Sequence, residues 1–179
     1  MMGINAIFWI MVILFAIIGM SRGWAKELLV IFSVILALFI ITVLEKFVPF
    51  VRDSLLGNPD MVVTVFWIRL VILVALVFFA YQTPNIPRIA GTNRFVRERL
   101  QDSLLGLFLG ALNGYFVFGT IWYFLNEAGY PFSIIIPPEG DIAQVTARLM
   151  PLMAPNWLGT PMIYFAVAIA FAFILVVLI

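Results

Sequence analysis

Neither cysteine nor histidine occurs in the 179 residues, and charged side chains make up only 11% of them. Without cysteine there are no disulfides, thiolate nucleophiles or cysteine-bound zinc and iron–sulfur sites. Without histidine there is no Ser–His–Asp triad and no imidazole acid or base near neutral pH. The scarcity of charge excludes more. A soluble domain averages about 25% charged and about 45–50% apolar residues, whereas this chain is 65% hydrophobic, with a net charge of +1 and a mean hydropathy of +1.17. Too few polar side chains exist to coat a water-facing core. The composition therefore predicts an all-α integral membrane bundle, a single transmembrane domain over residues 1–179.

What is present falls into long apolar runs. Crossing about 30 Å of hydrocarbon takes roughly 20 helical residues. Five segments come near that length: 4–20, 28–44, 61–81, 103–125 and 161–179. Arg22, Lys26 and Glu27 interrupt the first long stretch, and burying those charges at mid-bilayer would cost several kcal/mol each. A helical hairpin is expected instead. No Lys or Arg precedes the first run and no small-residue cleavage site follows it, so it reads as a retained span. The first and third connections carry six Lys and Arg, against three in the second and fourth. By the positive-inside rule the N-terminus lies outside and the C-terminus is cytoplasmic.

Two connections carry further signals. In the third, Arg88, Arg94, Arg97 and Arg99 form a basic cytoplasmic anchor. Interleaved with Phe95, Val96 and Leu100, they suit a surface helix on anionic lipid, and no nucleic-acid site is expected. The outer loop, 126–160, is broken by five prolines. Within it, 141–150 is expected to form a short amphipathic helix capped by Asp141, either in the headgroup layer or packed on the bundle. Tyr130 and Trp157 read as interfacial anchors. Glu139 and Asp141 offer a poor cation site, and no metal is expected.

Within the spans, Gly106, Gly110 and Gly114 recur every four residues, which puts them on one helix face where another backbone can approach. An internal seam is the first reading, a groove for a partner helix the second. Ala166 and Ala170 make a weaker line on the fifth span. Arg69 is the costly residue, eight positions or roughly 12 Å into the third span. Asn113, about 15 Å into the antiparallel fourth span, falls near the same depth. Arg69 is therefore expected to point inward and to find Asn113, freed carbonyls or a partner's acid.

The turn Gly19-Met-Ser-Arg22-Gly23-Trp24-Ala-Lys-Glu27-Leu28 resembles the Gly-x-x-Arg-Gly-aromatic-x-x-Glu-Leu turn of the colicin V production family. The run from Asp102 through Gly106 and Gly110 to Gly114 is similar to that family's last helix, and Arg148-Leu-Met-Pro151-Leu to the stretch after it. The resemblance covers about residues 5–155. Asn5 stands where members carry an acid, and the fifth span is additional. Membership implies a bacterial inner-membrane protein linked to export and envelope integrity, with no catalytic residues to carry over.

The function expected is a non-catalytic accessory subunit that packs against other integral membrane subunits of a larger complex, respiratory or photosynthetic electron transfer among the candidates. It would have no cofactor of its own, with contacts to membrane lipid and to a shared quinone or pigment left open. The alternative is a component of a small-molecule or peptide export system or an envelope-homeostasis factor.

Overall fold

A computed structural model describes residues 3–82 and 96–178. Every regular element among them is helical. Helix α1 runs Ile4–Arg22, α2 Trp24–Phe47, α3 Val62–Tyr81 and α4 Val96–Glu127. Shorter elements follow: α5 at Gly140–Leu149, α6 at Ala154–Trp157 and α7 at Met162–Leu178. These segments are rich in β-branched residues, which lower helix propensity in water. In hydrocarbon the choice is forced, because only a helix satisfies its backbone polar groups within one segment.

Breaks occur where backbone chemistry requires them. Gly23, at φ +85°, is the only residue between α1 and α2, so both spans extend well into the polar flanks. Helix α2 ends at Phe47, two residues before Pro49. A π-helical segment, Phe50–Leu56, and a 3-10 turn, Pro59–Met61, lead into α3. There Asn58 Oδ1 accepts from the Asp60 amide at 3.0 Å, capping the turn.

Among the described residues, four helices are long and apolar enough to cross a membrane: 4–22, 24–47, 59–81 and 99–127. The expected fifth, α7, has 17 described residues, at the short end of spanning length. The basic surface helix expected in the third connection is not a separate helix where it is described. Residues 96–102 form no separate element; they are the first two turns of the 32-residue α4. At 1.5 Å per residue α4 is roughly 48 Å long, so one end must project beyond the hydrocarbon.

Helix α2 is the hub, packing on α3, α4 and α7, while α1 lies along α4. The main core joins Val30, Val34, Ala37 and Leu38 of α2 to Leu73 and Val77 of α3 and Val117 of α4. A smaller cluster, Phe8, Trp122 and Met153, ties α1 and α4 to the segment after α5. The N-terminal cap of α5 is Glu139, with no side-chain bond, and Asp141 is the second residue of the helix. The expectation of an Asp141 cap is thus wrong. Its charge still favours the positive N-terminal end of the helix dipole. Ile142 and Val145 of α5 are exposed, whereas Leu149 and Met150 pack on the Phe8 cluster.

Candidate functional site

The α1–α2 turn builds a polar cluster from four helices. Arg22 closes α1, and Glu27 occupies the first turn of α2. The Glu27 side chain is fully buried. One carboxylate oxygen accepts from Arg22 Nη1 at 2.6 Å. The other accepts from Asn113 Nδ2 at 2.7 Å and from the Tyr81 hydroxyl at 3.5 Å. Asn113 Nδ2 also donates to the Glu27 carbonyl at 2.9 Å. The Arg22 guanidinium lies 4.0 Å from the centre of the Tyr81 ring, and its Nη2 donates to the Tyr81 carbonyl at 3.4 Å. A buried charge is tolerable when it is paired and its remaining lone pairs are filled, and Glu27 meets both conditions.

The remaining turn residues support that arrangement. Asp102 of α4 accepts from the Trp24 amide at 3.2 Å, so another helix supplies the N-terminal cap of α2. A Cβ on Gly23 would sit 2.9 Å from the Asp102 carboxylate oxygens and would also be strained at positive φ. Trp24 itself faces outward. The glycine ladder finishes the turn. A Cβ on Gly19 would collide with the backbone of Gly106 and Gly110, one on Gly110 with Phe15 and Gly19, and one on Gly114 with Val12. The ladder thus forms a seam between α1 and α4 at backbone contact distance. Ala170 is buried and Ala166 half-buried on α7, the helix that packs on α2 through ring pairs such as Phe32–Phe173.

A second cluster surrounds Arg69. Its Nε donates to Glu45 Oε1 at 2.6 Å, and its Nη1 to Glu127 Oε2. The guanidinium stands 5.2 Å from the Phe124 ring centre. The expected pairing with Asn113 is not formed. Asn113 and Glu127 are fourteen residues apart on α4, roughly 21 Å, and Arg69 meets the helix at its Glu127 end. The sequence signal for this arrangement is a pair of acids, Glu45 and Glu127, at the ends of neighbouring spans and within reach of a long side chain.

Helices α2, α3 and α4 each contribute to both clusters: Glu27 and Glu45, Tyr81 and Arg69, Asn113 and Glu127. Between them lie the apolar side chains of the main core. Two core-facing groups on α4, Asn113 Oδ1 and Thr120 Oγ1, are buried without a hydrogen-bond partner. A cavity of about 280 Å³ adjoins Arg69 and Glu127, walled by the 55–59 turn, Phe66 and Phe124.

Elsewhere the polar groups are local. Exposed Arg52 and Asp53 pair at 2.7 Å, and the hydrogen bond from Arg52 holds the Asp53 carboxyl below its ordinary range. Tyr130 is half-buried: its hydroxyl accepts from Trp122 Nε1 at 3.1 Å, and burial raises its pKa. Trp157 is exposed, with its ring 6.0 Å from that of Phe116. Arg99 is exposed at the start of α4. Arg88 and Arg94 lie outside the described residues, and Arg97 falls on the first turn of α4. No group of three or more potential metal-binding side chains occurs among the described residues. Comparison with family models, curated proteins and solved structures returns no match.

Proposed function

We propose that the chain is a non-catalytic accessory subunit of a larger complex in a bacterial inner membrane. One observation carries this reading: the apolar surface left outside the bundle. The glycine ladder is occupied internally, yet Ile10, Ile13, Leu14 and Ile17 of α1 face outward, as do Phe165, Ile169 and Phe171 of α7. Clusters at two levels brace α2, α3 and α4, which suits a rigid block that other membrane subunits pack against. The bias of Lys and Arg in the connections supports an outside N-terminus and a cytoplasmic C-terminus. The likeness of the Gly19–Leu28 turn to the colicin V production family supports the bacterial assignment. The subunit holds no redox group of its own, and its outward Trp and Phe side chains offer contact to a quinone or pigment shared with a neighbour.

Gentle detergent extraction, native mass measurement and identification of co-purifying chains test the reading. Stoichiometric association with large membrane proteins is the expected result; a lone monomer that drives substrate-dependent flux overturns it. The buried Glu27 carboxylate beside the unpaired Asn113 Oδ1 favours a second reading, a component of an export or envelope-homeostasis system. That reading requires flux in reconstituted vesicles that falls in Glu27→Gln.

A further inference from the structure

At the end of the bundle opposite the Glu27 cluster, a cavity of about 690 Å³ lies between α1, α4 and the segment preceding α5. Cavities of roughly 300–1,000 Å³ accept whole small ligands. Its walls are apolar: Ile7 and Phe8 of α1, Ile121 and Trp122 of α4, and Ile135 and Pro138 of the overhanging segment. The lined stretch of α4, Phe118–Leu125, is roughly 10 Å long, about two-thirds of one leaflet's hydrocarbon depth.

The rim indicates what enters. Ile7 lines the cavity and begins the outward row that continues through Ile10, Ile13, Leu14 and Ile17, so the slot opens onto the lipid-facing side of α1. On the opposite lip Ile134 is 93% exposed and Ile136 is also exposed, positions at ease in acyl chains and costly in water. The polar edge is acidic: Glu139 lines the mouth and Asp141 follows two residues later, both exposed. Arg148 lies roughly 10 Å further along α5. The Glu139 carboxylate at the edge of the cavity repels an anionic head and attracts an ammonium group.

We propose that this cavity is a lipid site that takes one acyl chain of a phospholipid with an ammonium-bearing zwitterionic head, such as phosphatidylethanolamine. The chain lies against Trp122, and the ammonium group pairs with Glu139. Trp122 is only 2% exposed, so a lipid chain reaches its ring by entering the cavity.

The test uses a protein whose only tryptophan is Trp122, with Trp9, Trp24, Trp67 and Trp157 changed to Phe. It is reconstituted in vesicles of phosphatidylethanolamine with brominated chains. Trp122 is expected to lose half or more of its emission, and less when the brominated lipid is phosphatidylglycerol. Ile121→Phe, which fills the slot, restores the emission, and Glu139→Gln removes the preference between heads. Unchanged emission, or equal quenching in Ile121→Phe, overturns the proposal. So does quenching by an aqueous agent in place of bromine, the mark of a water-filled cavity. A dimer whose Trp122 bromine cannot quench has a second copy in the slot, which also overturns it. The unaltered chain supplies an independent measurement: native mass spectra from nanodiscs of mixed lipid should retain one phosphatidylethanolamine after detergent exchange, and none retained overturns the proposal.

Discussion

Arg69 has one positive charge and two carboxylate partners, and that imbalance decides how the cluster responds to change. Removing the guanidinium leaves Glu45 and Glu127 facing each other at a partly exposed site, where loss of a charged partner costs about 1–3 kcal/mol. Arg69→Met should therefore lower the unfolding free energy in mixed micelles by about that amount. The triple variant Arg69→Met, Glu45→Gln, Glu127→Gln should recover most of it, because neutral amides need no counter-charge. A triple variant as unstable as the single one would show that the charges are not the cause. Glu27 is more demanding. Its carboxylate accepts from Arg22, Asn113 and Tyr81, so Glu27→Leu should destabilise by about 3 kcal/mol or more, and Glu27→Gln by less. Equal losses would mean that volume and not charge holds the turn.

At the level of the helix, the α1–α4 seam depends on missing side chains. At Gly110 an added methyl group meets the backbone of α1, which cannot yield without parting the helices. At Gly119 it meets the sulfur of Met153, the far end of a flexible side chain. Gly110→Ala should thus cost about 1–3 kcal/mol, and Gly119→Ala distinctly less, by the same unfolding assay. Equal effects would remove the close-approach account of the ladder. Helix α2 also depends on a neighbour. Its first free amide, that of Trp24, is satisfied by Asp102 from α4. Asp102→Ala should cost about 1 kcal/mol, the usual value of a lost N-cap, and Asp102→Asn less.

For the whole molecule, the absence of cysteine becomes an experimental asset, since any introduced thiol is unique. Exposed Ser54, before α3, and exposed Gln144, on α5, belong to the side read as external, and exposed Gln82, closing α3, to the cytoplasmic side. On the proposed orientation, a membrane-impermeant maleimide applied to the outer face of sealed membranes should label Ser54→Cys and Gln144→Cys. Gln82→Cys should react only after permeabilisation. The reverse pattern would invert the orientation drawn from the basic residues.

Composition and apolar run length were enough to define a helical membrane bundle, because hydrocarbon leaves the backbone few alternatives and segment length is written along the chain. The glycine spacing was legible for a similar reason: a helix converts a four-residue interval into a face. Partners were not legible. Depth counted from a presumed boundary at Ser103 put Asn113 opposite Arg69, whereas α4 begins at Val96 and places Asn113 on Glu27. Glu127 falls in the loop read from the sequence and Glu45 one residue past the second apolar run, yet the packed helices bring both to one guanidinium. Periodicity is a property of one helix, whereas pairing across helices depends on relative height and rotation. Those are set by how three packed surfaces fit together, and only the tertiary structure contains them.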